Sequence, residues 1–500
     1  MKIGLYANIK CELVGGVQQY IEKITLALIQ NPFIQLFVIT NEDFYNHFFK
    51  NINTRNIHII LVNGKYQFEI KDKIYDLKLA LLHFPFQYIP FGDWKIPTLI
   101  TLHDLQHEYF PEFFTKDQLD FRNYYYKKSA LLCDQIIVSF NHVKEDIHKF
   151  YNIPYEKISV TSLGYENRFK EQNLCDKDLL TSKFNIPEHF ILYPAQTWRH
   201  KNHVALFKAI KILRDKYQFK ITLICTGALS DYYELLQEYI KENELTNQIK
   251  FLGFVTIDEL YRLYYYTDLV VIPTLYEAGS FPLLEAMSLE KPVICSNVTS
   301  LPDTIGDLRF TFNPNDSEQI ANSILNMLTD KNLIMINKRN SKTQIRRFNW
   351  EDVCKNFIQA YKKAIINFNE GKYNKDYFKE LYLKERQSKI EDINKEFDTI
   401  AEGEKVVIYA AGEHTMELIK QTNISDKNIQ YIVDKKLKGS FFGYEVRAPE
   451  QIMVSTPDVV VISSFSFEDE IFDYIRTSLN FKGRVIKLYN NADKKPFFNL

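Results

Sequence analysis

A chain of 500 residues, with 62 Lys+Arg against 63 Asp+Glu, is too long for one hydrophobic core and carries no charge excess, so two or three domains are expected and nucleic acid is excluded as the main partner. Six scattered cysteines without a Cys-x-x-Cys exclude a disulfide framework and a thiolate zinc site, and fit a reducing cytosol. The opening MKIGLYANI is too short for a signal peptide and reads as a strand, and no apolar run approaches the roughly 20 residues that span a bilayer.

In chain order, residues 2–7 predict a strand, 8–16 a loop closing on Gly15-Gly16, and 17–30 a helix. A glycine pair between strand and helix lets backbone approach a phosphate or a sugar, although a plain turn has the same spacing. Strands are predicted at 34–40, 58–62 and 98–102. Residues 81–97 are aromatic and broken by proline, so they read as a loop with packed rings, either bordering a binding groove or forming satellite core. His103 and Asp104 follow the carboxyl end of a strand, where open α/β sheets bind ligands. His107 reads as structural. Residues 130–139 approach a further strand, 141–150 form a helix, and 158–163 lead into Gly164.

A second run of such units begins with a strand at 190–194 and the basic loop Trp198-Arg199-His200-Lys201, followed by a helix to Arg214. Strands at 221–226 and 249–254 and a helix at 258–266 come next. Then the apolar run 268–272 predicts a buried parallel strand. Ala278-Gly279-Ser280 forms a tight loop, with Ser280 as N-cap, Pro282 in the first helical turn, and Leu283, Leu284, Met287 and Leu289 on the helix. Such a unit points backbone N–H groups and the positive end of a helix dipole beyond the strand. Two carboxylates flank the turn, Glu277 and Glu285; alone, they read first as solvated side chains. A strand at 292–296 and a helix from Trp350 to about residue 366 complete this part.

Residues 371–398 are highly charged and read as a solvated helix or linker. Beyond them the periodicity restarts, with strands at 405–409, 429–433, 458–463 and 485–488 and a helix at 414–421. The turn Ala410-Ala411-Gly412-Glu413 is similar to a degraded dinucleotide fingerprint, with Ala410 where its first glycine is expected. Asp434 follows about twenty residues on, the place of a ribose-binding acid. A purely structural turn is the competing reading.

LYEAGSFPLLEAM, containing Glu277 and Glu285, resembles the Glu-x7-Glu signature of retaining nucleotide-sugar glycosyltransferases of family four, which have the GT-B fold. The family usually has Gly-Phe-Gly after the first Glu; here Ala278-Gly279-Ser280 shifts the glycine by one place. TLHDLQHEYFPEFF, YPAQTWRHKNH, FLGFV around Gly253, and Ser300 to Asp307 also resemble family segments, in the family's order, over residues 1–370. The resemblance implies an α/β fold of two Rossmann-like domains facing a cleft. The expected divisions are 1–172 on the acceptor side, 173–345 for the donor nucleotide, 346–370 as a helix returning to the first domain, 371–402 as a charged helical linker and 403–500 as an accessory module. That tail looks like Rossmann-like modules appended to sugar-modifying enzymes and methyltransferases.

The site residues follow from the same resemblance. His103 contacts the transferred sugar; Asp104, beside it, reads as holding the loop or orienting His103. Lys201, with Arg199, binds the donor diphosphate. Glu277 holds sugar hydroxyls and Glu285 ribose hydroxyls. Gly15, Gly16, Gly279, Ser280, Phe281 and Pro282 complete the donor site, and Gly412 and Asp434 mark the nucleotide-like turn of the tail. No Asp-x-Asp stands at a matching place; Asp176-Lys177-Asp178 reads as a solvated turn, so no metal and no cofactor beyond the nucleotide-sugar co-substrate are expected. The implied activity is metal-independent hexose transfer, with retention, to a glycan or lipid-linked hydroxyl in surface polysaccharide synthesis. The expected location is cytoplasmic, with peripheral contact at the inner membrane face and a protein partner through 403–500. Two other classes stay open: a GT-B nucleotide-sugar epimerase, and a non-catalytic subunit of a glycan assembly complex.

Overall fold

The computed structural model describes residues 1–9, 16–52, 55–62, 67–90, 94–169, 183–373, 375–464 and 467–489. Among them, three sheets follow one another along the chain. The first contains β1 (Lys2–Ala7), β2 (Gln35–Thr40), β3 (Ile57–Leu61), β4 (Leu81–Phe84), β5 (Thr98–Thr101), β6 (Gln135–Val138) and β7 (Ile158–Val160), in the order β3-β2-β1-β4-β5-β6-β7. The second contains β8 (Phe190–Pro194), β9 (Thr222–Thr226), β10 (Ile249–Phe251), β11 (Leu269–Ile272), β12 (Val293–Ser296) and β13 (Thr311–Phe312), in the order β10-β9-β8-β11-β12-β13. All pairings in both are parallel. Helices cover the faces, so runs such as Leu269-Val270-Val271-Ile272 are buried on both sides and show no alternation. The strand order reverses between β1 and β4 and again between β8 and β11, and a ligand crevice opens beyond the carboxyl ends at such points.

Residues 81–97 correct the expectation of a loop. Leu81–Phe84 is a central strand between β1 and β5, and Phe86, Ile89 and Trp94 belong to the first core. His83 disguised it by interrupting the apolar run. Its ring is buried and satisfied, with Nδ1 3.0 Å from Tyr361 Oη and Nε2 2.8 Å from Thr101 Oγ1. Residues 130–132 also differ, ending the helix Lys116–Leu132 ahead of β6.

The helix Trp350–Asn369 packs on the first core through Val353, Phe357, Tyr361 and Ala364. Asn367 Nδ2 fixes its end by donating to Asp134 O at 3.0 Å and Gln135 Oε1 at 2.9 Å. Outgoing and returning chains touch where Tyr165 N–H donates to Phe348 O at 2.7 Å. Gly164 lies against the Trp350 ring there, and a Cβ on it would stand 2.3 Å from that ring, so only glycine permits the approach.

The third sheet contains β14 (Val406–Tyr409), β15 (Ile429–Val433), β16 (Gly439–Phe441), β17 (Tyr444–Arg447), β18 (Val459–Ile462) and β19 (Arg484–Lys487), in the order β16-β17-β15-β14-β18-β19. Its β16–β17 pair is an antiparallel hairpin that the short polar strands concealed. The linker expected at 371–402 is corrected as well. Ile393, Phe397 and Ile400 are buried in the core of this sheet, because they fall on one stripe at the end of the helix Asp376–Asp398 and beyond it. The core therefore begins before residue 403. At the other end of this stretch, Lys375 Nζ lies 2.7 Å from Asp134 Oδ1 of the first unit.

Candidate active site

Two loops leave the carboxyl ends of β8 and β11, the strands flanking the reversal in the second sheet. They are laced together. Leu275 N–H and Thr274 Oγ1 both donate to His200 O, at 2.8 and 3.0 Å. Asn202 Nδ2 donates to Pro273 O and Pro314 O, each at 2.9 Å. The loop after β9 presses close to the same place: Gly227 has φ +134°, and a Cβ on it would stand 2.8 Å from Ala195 O. This lacing puts Lys201 Nζ 2.5 Å from Glu277 Oε1, with the two side chains only 17% and 11% exposed. Glu277 is held through its backbone as well, its N–H donating to Thr299 Oγ1 at 2.9 Å and its carbonyl accepting from Ser300 Oγ at 2.8 Å. Arg199 is exposed and stacks over Tyr232 at 5.3 Å.

The helix Phe281–Ser288 follows, with Pro282 in its first turn as expected. Ser280 stands at the N-cap position, but its hydroxyl makes no capping bond; it is buried and has no hydrogen-bond partner among the described residues. The helix lies at the junction of two cores: Leu283, Ala286 and Met287 pack into the second, Leu284 and Phe281 into the first. Glu285 is buried. Its Oε1 is 2.7 Å from Arg168 Nη2 and its Oε2 accepts from Tyr264 Oη at 2.8 Å. Burial pushes its carboxyl pKa up, against the pull of Arg168 and Tyr264. Arg168, in the crossing between the units, carried no sequence signal.

On the first unit, His103 is fixed by its backbone N–H donating to Gln87 Oε1 at 2.8 Å and by ring Nε2, 3.1 Å from Pro85 O. A carbonyl can only accept, so Nε2 carries the proton in the neutral ring and Nδ1 presents a lone pair. Burial lowers the His103 pKa, outweighing Pro85 O and Asp104, which raise it. The ring stands edge-on to Tyr20 at 4.7 Å, and Tyr20 Oη lies 3.1 Å from Thr101 Oγ1, which in turn bonds His83. A buried polar chain thus runs from Tyr361 on the returning helix to the floor under His103. Asp104 Oδ1 accepts from Gln106 N–H at 3.1 Å, holding the loop. His107 is buried, as expected of a structural residue. Gly16 opens the helix Gly16–Ile29 with nothing within 4 Å of a Cβ among the described residues, and Gly15 lies outside them.

The two loops meet across the cleft. Leu105 N–H, two residues after His103, donates to Tyr276 Oη, one residue before Glu277, at 3.2 Å. Gly279, at φ +131°, faces Phe140 and Leu163 of the first unit.

Residues 14–167 match the family model described as Glycosyltransferase Family 4, and residues 176–344 the one described as Glycosyl transferases group 1. The chain belongs to the family-four glycosyltransferases. This glycosyltransferase is 28% identical over 288 residues to the O-antigen chain mannosyltransferase B of Escherichia coli, covering 57% of this chain and 75% of that one. It is 29% identical over 228 residues to the O-antigen chain mannosyltransferase RfbU of Salmonella typhimurium, covering 46% and 60%. HepE of Anabaena, solved with UDP and glucose, shares the fold over 72% of this chain and 99% of its own, at TM-score 0.56 and 16% identity. A glycosyltransferase of Rickettsia africae does so over 73% and 98%, at TM-score 0.56 and 19% identity. The doubly wound pair of sheets is therefore the GT-B fold.

Residues 369–488 of the glycosyltransferase match the model described as C-methyltransferase C-terminal domain. The Asp434 carboxylate is taken up by backbone N–H groups, Ala411 at 3.0 Å, Lys436 at 2.8 Å and Leu437 at 2.9 Å, which close the turn. Gly412 caps the helix Glu413–Gln421, and Ala410 has φ +88°, a strained value at the position where the fingerprint has glycine.

Proposed function

We propose that this family-four glycosyltransferase moves a hexose from a nucleoside-diphosphate sugar to a hydroxyl of a glycan or lipid-linked acceptor, with retention at the anomeric carbon, in surface polysaccharide synthesis. The observation that carries the reading is the Lys201–Glu277 pair beyond the end of β11. As the bond from the anomeric carbon to the diphosphate breaks, negative charge grows on the leaving oxygen. Lys201 and the amino end of the helix Phe281–Ser288 supply positive charge there without a metal. When Lys201 turns to the phosphates, Glu277 is released to accept from hydroxyls of the sugar. The neutral His103 offers Nδ1 to another of them from the facing unit. The acceptor hydroxyl attacks on the face that the diphosphate leaves, and a phosphate oxygen takes its proton. A carboxylate has about four acceptor positions, so Glu285 can hold Arg168, Tyr264 and the ribose hydroxyls together.

The relatives named as O-antigen mannosyltransferases make GDP-mannose the first donor to try. Among the described residues, no helix is long and apolar enough to cross a membrane. A lipid-linked acceptor is proposed to be met by peripheral contact at the inner face. The test is to incubate the protein with GDP-mannose, UDP-glucose and UDP-galactose and to follow free nucleotide, with and without a mannose-containing acceptor. Nucleotide released together with a glycosylated acceptor is expected. Epimerised sugar without acceptor, or no turnover of any donor, contradicts the reading.

A further inference from the structure

Tyr276 is an outlier in its loop. It belongs to the second unit, yet its ring is buried among side chains of the first: Tyr109 at 6.0 Å, Phe110 at 6.5 Å and His142 at 6.0 Å. That nest is itself fixed, Tyr109 Oη donating to Asp146 Oδ1. Both ring nitrogens of His142 are shielded and have no hydrogen-bond partner among the described residues, so packing against neighbours such as Tyr276 is what holds that ring. The Tyr276 hydroxyl accepts from Leu105 N–H at 3.2 Å, and Leu105 is buried. Without that oxygen a buried amide would be orphaned, the kind of defect that native proteins avoid.

Both ends of this bond sit beside reacting-sugar contacts. Leu105 closes the turn His103-Asp104-Leu105, which Gln87 and Pro85 O also brace within the first unit. Tyr276 precedes Glu277, and its own carbonyl lies 3.1 Å from Thr274 Oγ1, whose single proton it shares with His200 O. Three residues on, Gly279 makes the second crossing. A Cβ there would meet Phe140 at 3.2 Å and Leu163 at 3.3 Å, so the loop lies flat on the first unit. The segment 276–279 is thus clamped at both ends, with Glu277 between the clamps.

We propose that Tyr276 is a positioning residue of the transfer: by inserting into the first unit and accepting from Leu105, it sets the register between the loop bearing His103 and the loop bearing Glu277. The inference rests on the transferase reading and adds to it a residue that touches no donor atom. Its predicted signature is kinetic. The charge at Lys201 and the carboxylate of Glu285 do not depend on the Tyr276 hydroxyl, so donor affinity stays. Turnover needs both sugar contacts at once, and small misplacements of reacting groups are costly.

The test is Tyr276→Phe, which keeps the ring in its nest and removes only the hydroxyl. Turnover at saturating donor should fall roughly three- to tenfold, the effect of one neutral hydrogen bond. Donor affinity by calorimetric titration should stay within about twofold, and the Leu105 amide should exchange hydrogen faster than in the parent. Full turnover in the variant overturns the proposal, whatever the amide does. Parallel losses of turnover, donor affinity and melting temperature also overturn it, since they report a merely structural tyrosine. The parent enzyme separates the two levels. If it turns over no GDP- or UDP-hexose, the transferase reading fails and this inference with it. If it does turn over and Tyr276→Phe matches it, the inference alone fails.

Discussion

Replacing Lys201 by Met should destabilise the second unit by about 2–3 kcal/mol. The pair with Glu277 is close, 2.5 Å, and both side chains are largely shielded, at 17% and 11% exposure. Breaking a fully buried pair by removing one partner costs about 3–5 kcal/mol, because the other charge stays behind uncompensated. Residual water access to both groups brings the figure down to the lower range. For a unit of this size such a loss lowers the melting temperature by roughly 4–12 °C. Glu277→Gln should also destabilise, by stranding the lysine. In the double variant no charge is stranded, so its loss should be at least about 1 kcal/mol smaller than the sum of the singles. Thermal melting of the four full-length proteins, followed by circular dichroism, measures the cycle. Strict additivity would refute the pair, and with it the idea that Lys201 holds Glu277 until a diphosphate arrives.

Activity should survive EDTA, since in the proposed mechanism Lys201 and a helix terminus supply the phosphate charge; loss on chelation and recovery with Mg²⁺ would refute that proposal. Burial holds several histidines neutral, His103 below its ordinary value, His83 and His200 near about 3, His107 and His142 near about 4. Their folded pKa values lie below the unfolded value, so only the unfolded chain takes up protons at mildly acidic pH. Stability should be full above about pH 6.5 and fall as the pH drops from there toward 4; equal melting temperatures at pH 7 and 5 would contradict this. A fragment of residues 376–489 should melt cooperatively, whereas 403–489 should not, because it lacks Ile393, Phe397 and Ile400. Equal melting of the two fragments would show that the helix ahead of β14 is dispensable.

The legible parts of the sequence were those with local causes. Apolar runs marked β1, β8, β11 and β14, and the text around His103, Lys201, Glu277 and Glu285 carried the family's pattern. What stayed hidden depends on partners far away in the chain. Leu81–Phe84 looked like a loop because His83 breaks its apolar run, and the bonds that make that histidine tolerable come from Thr101 and Tyr361. Arg168 pairs with Glu285, and Leu105 with Tyr276 across 171 residues; no local spacing announces either contact. Ile393 and Phe397 were masked by the charge of the helix around them. Ser280 had the right residue type for a cap and the right position, but it is buried at the domain junction and its hydroxyl has no hydrogen-bond partner among the described residues.

The central claim is that Glu277 meets the donor sugar as the glycosidic bond to phosphate breaks. The most direct measurement is steady-state turnover of Glu277→Gln at saturating donor, using whichever nucleotide sugar the parent enzyme consumes. Glutamine keeps the shape and removes the charge, so the account predicts a fall in kcat of roughly a hundredfold with the donor still bound, the loss of one charge-assisted contact of about 3 kcal/mol. A Glu277→Gln enzyme that turns over at the parent rate would contradict it.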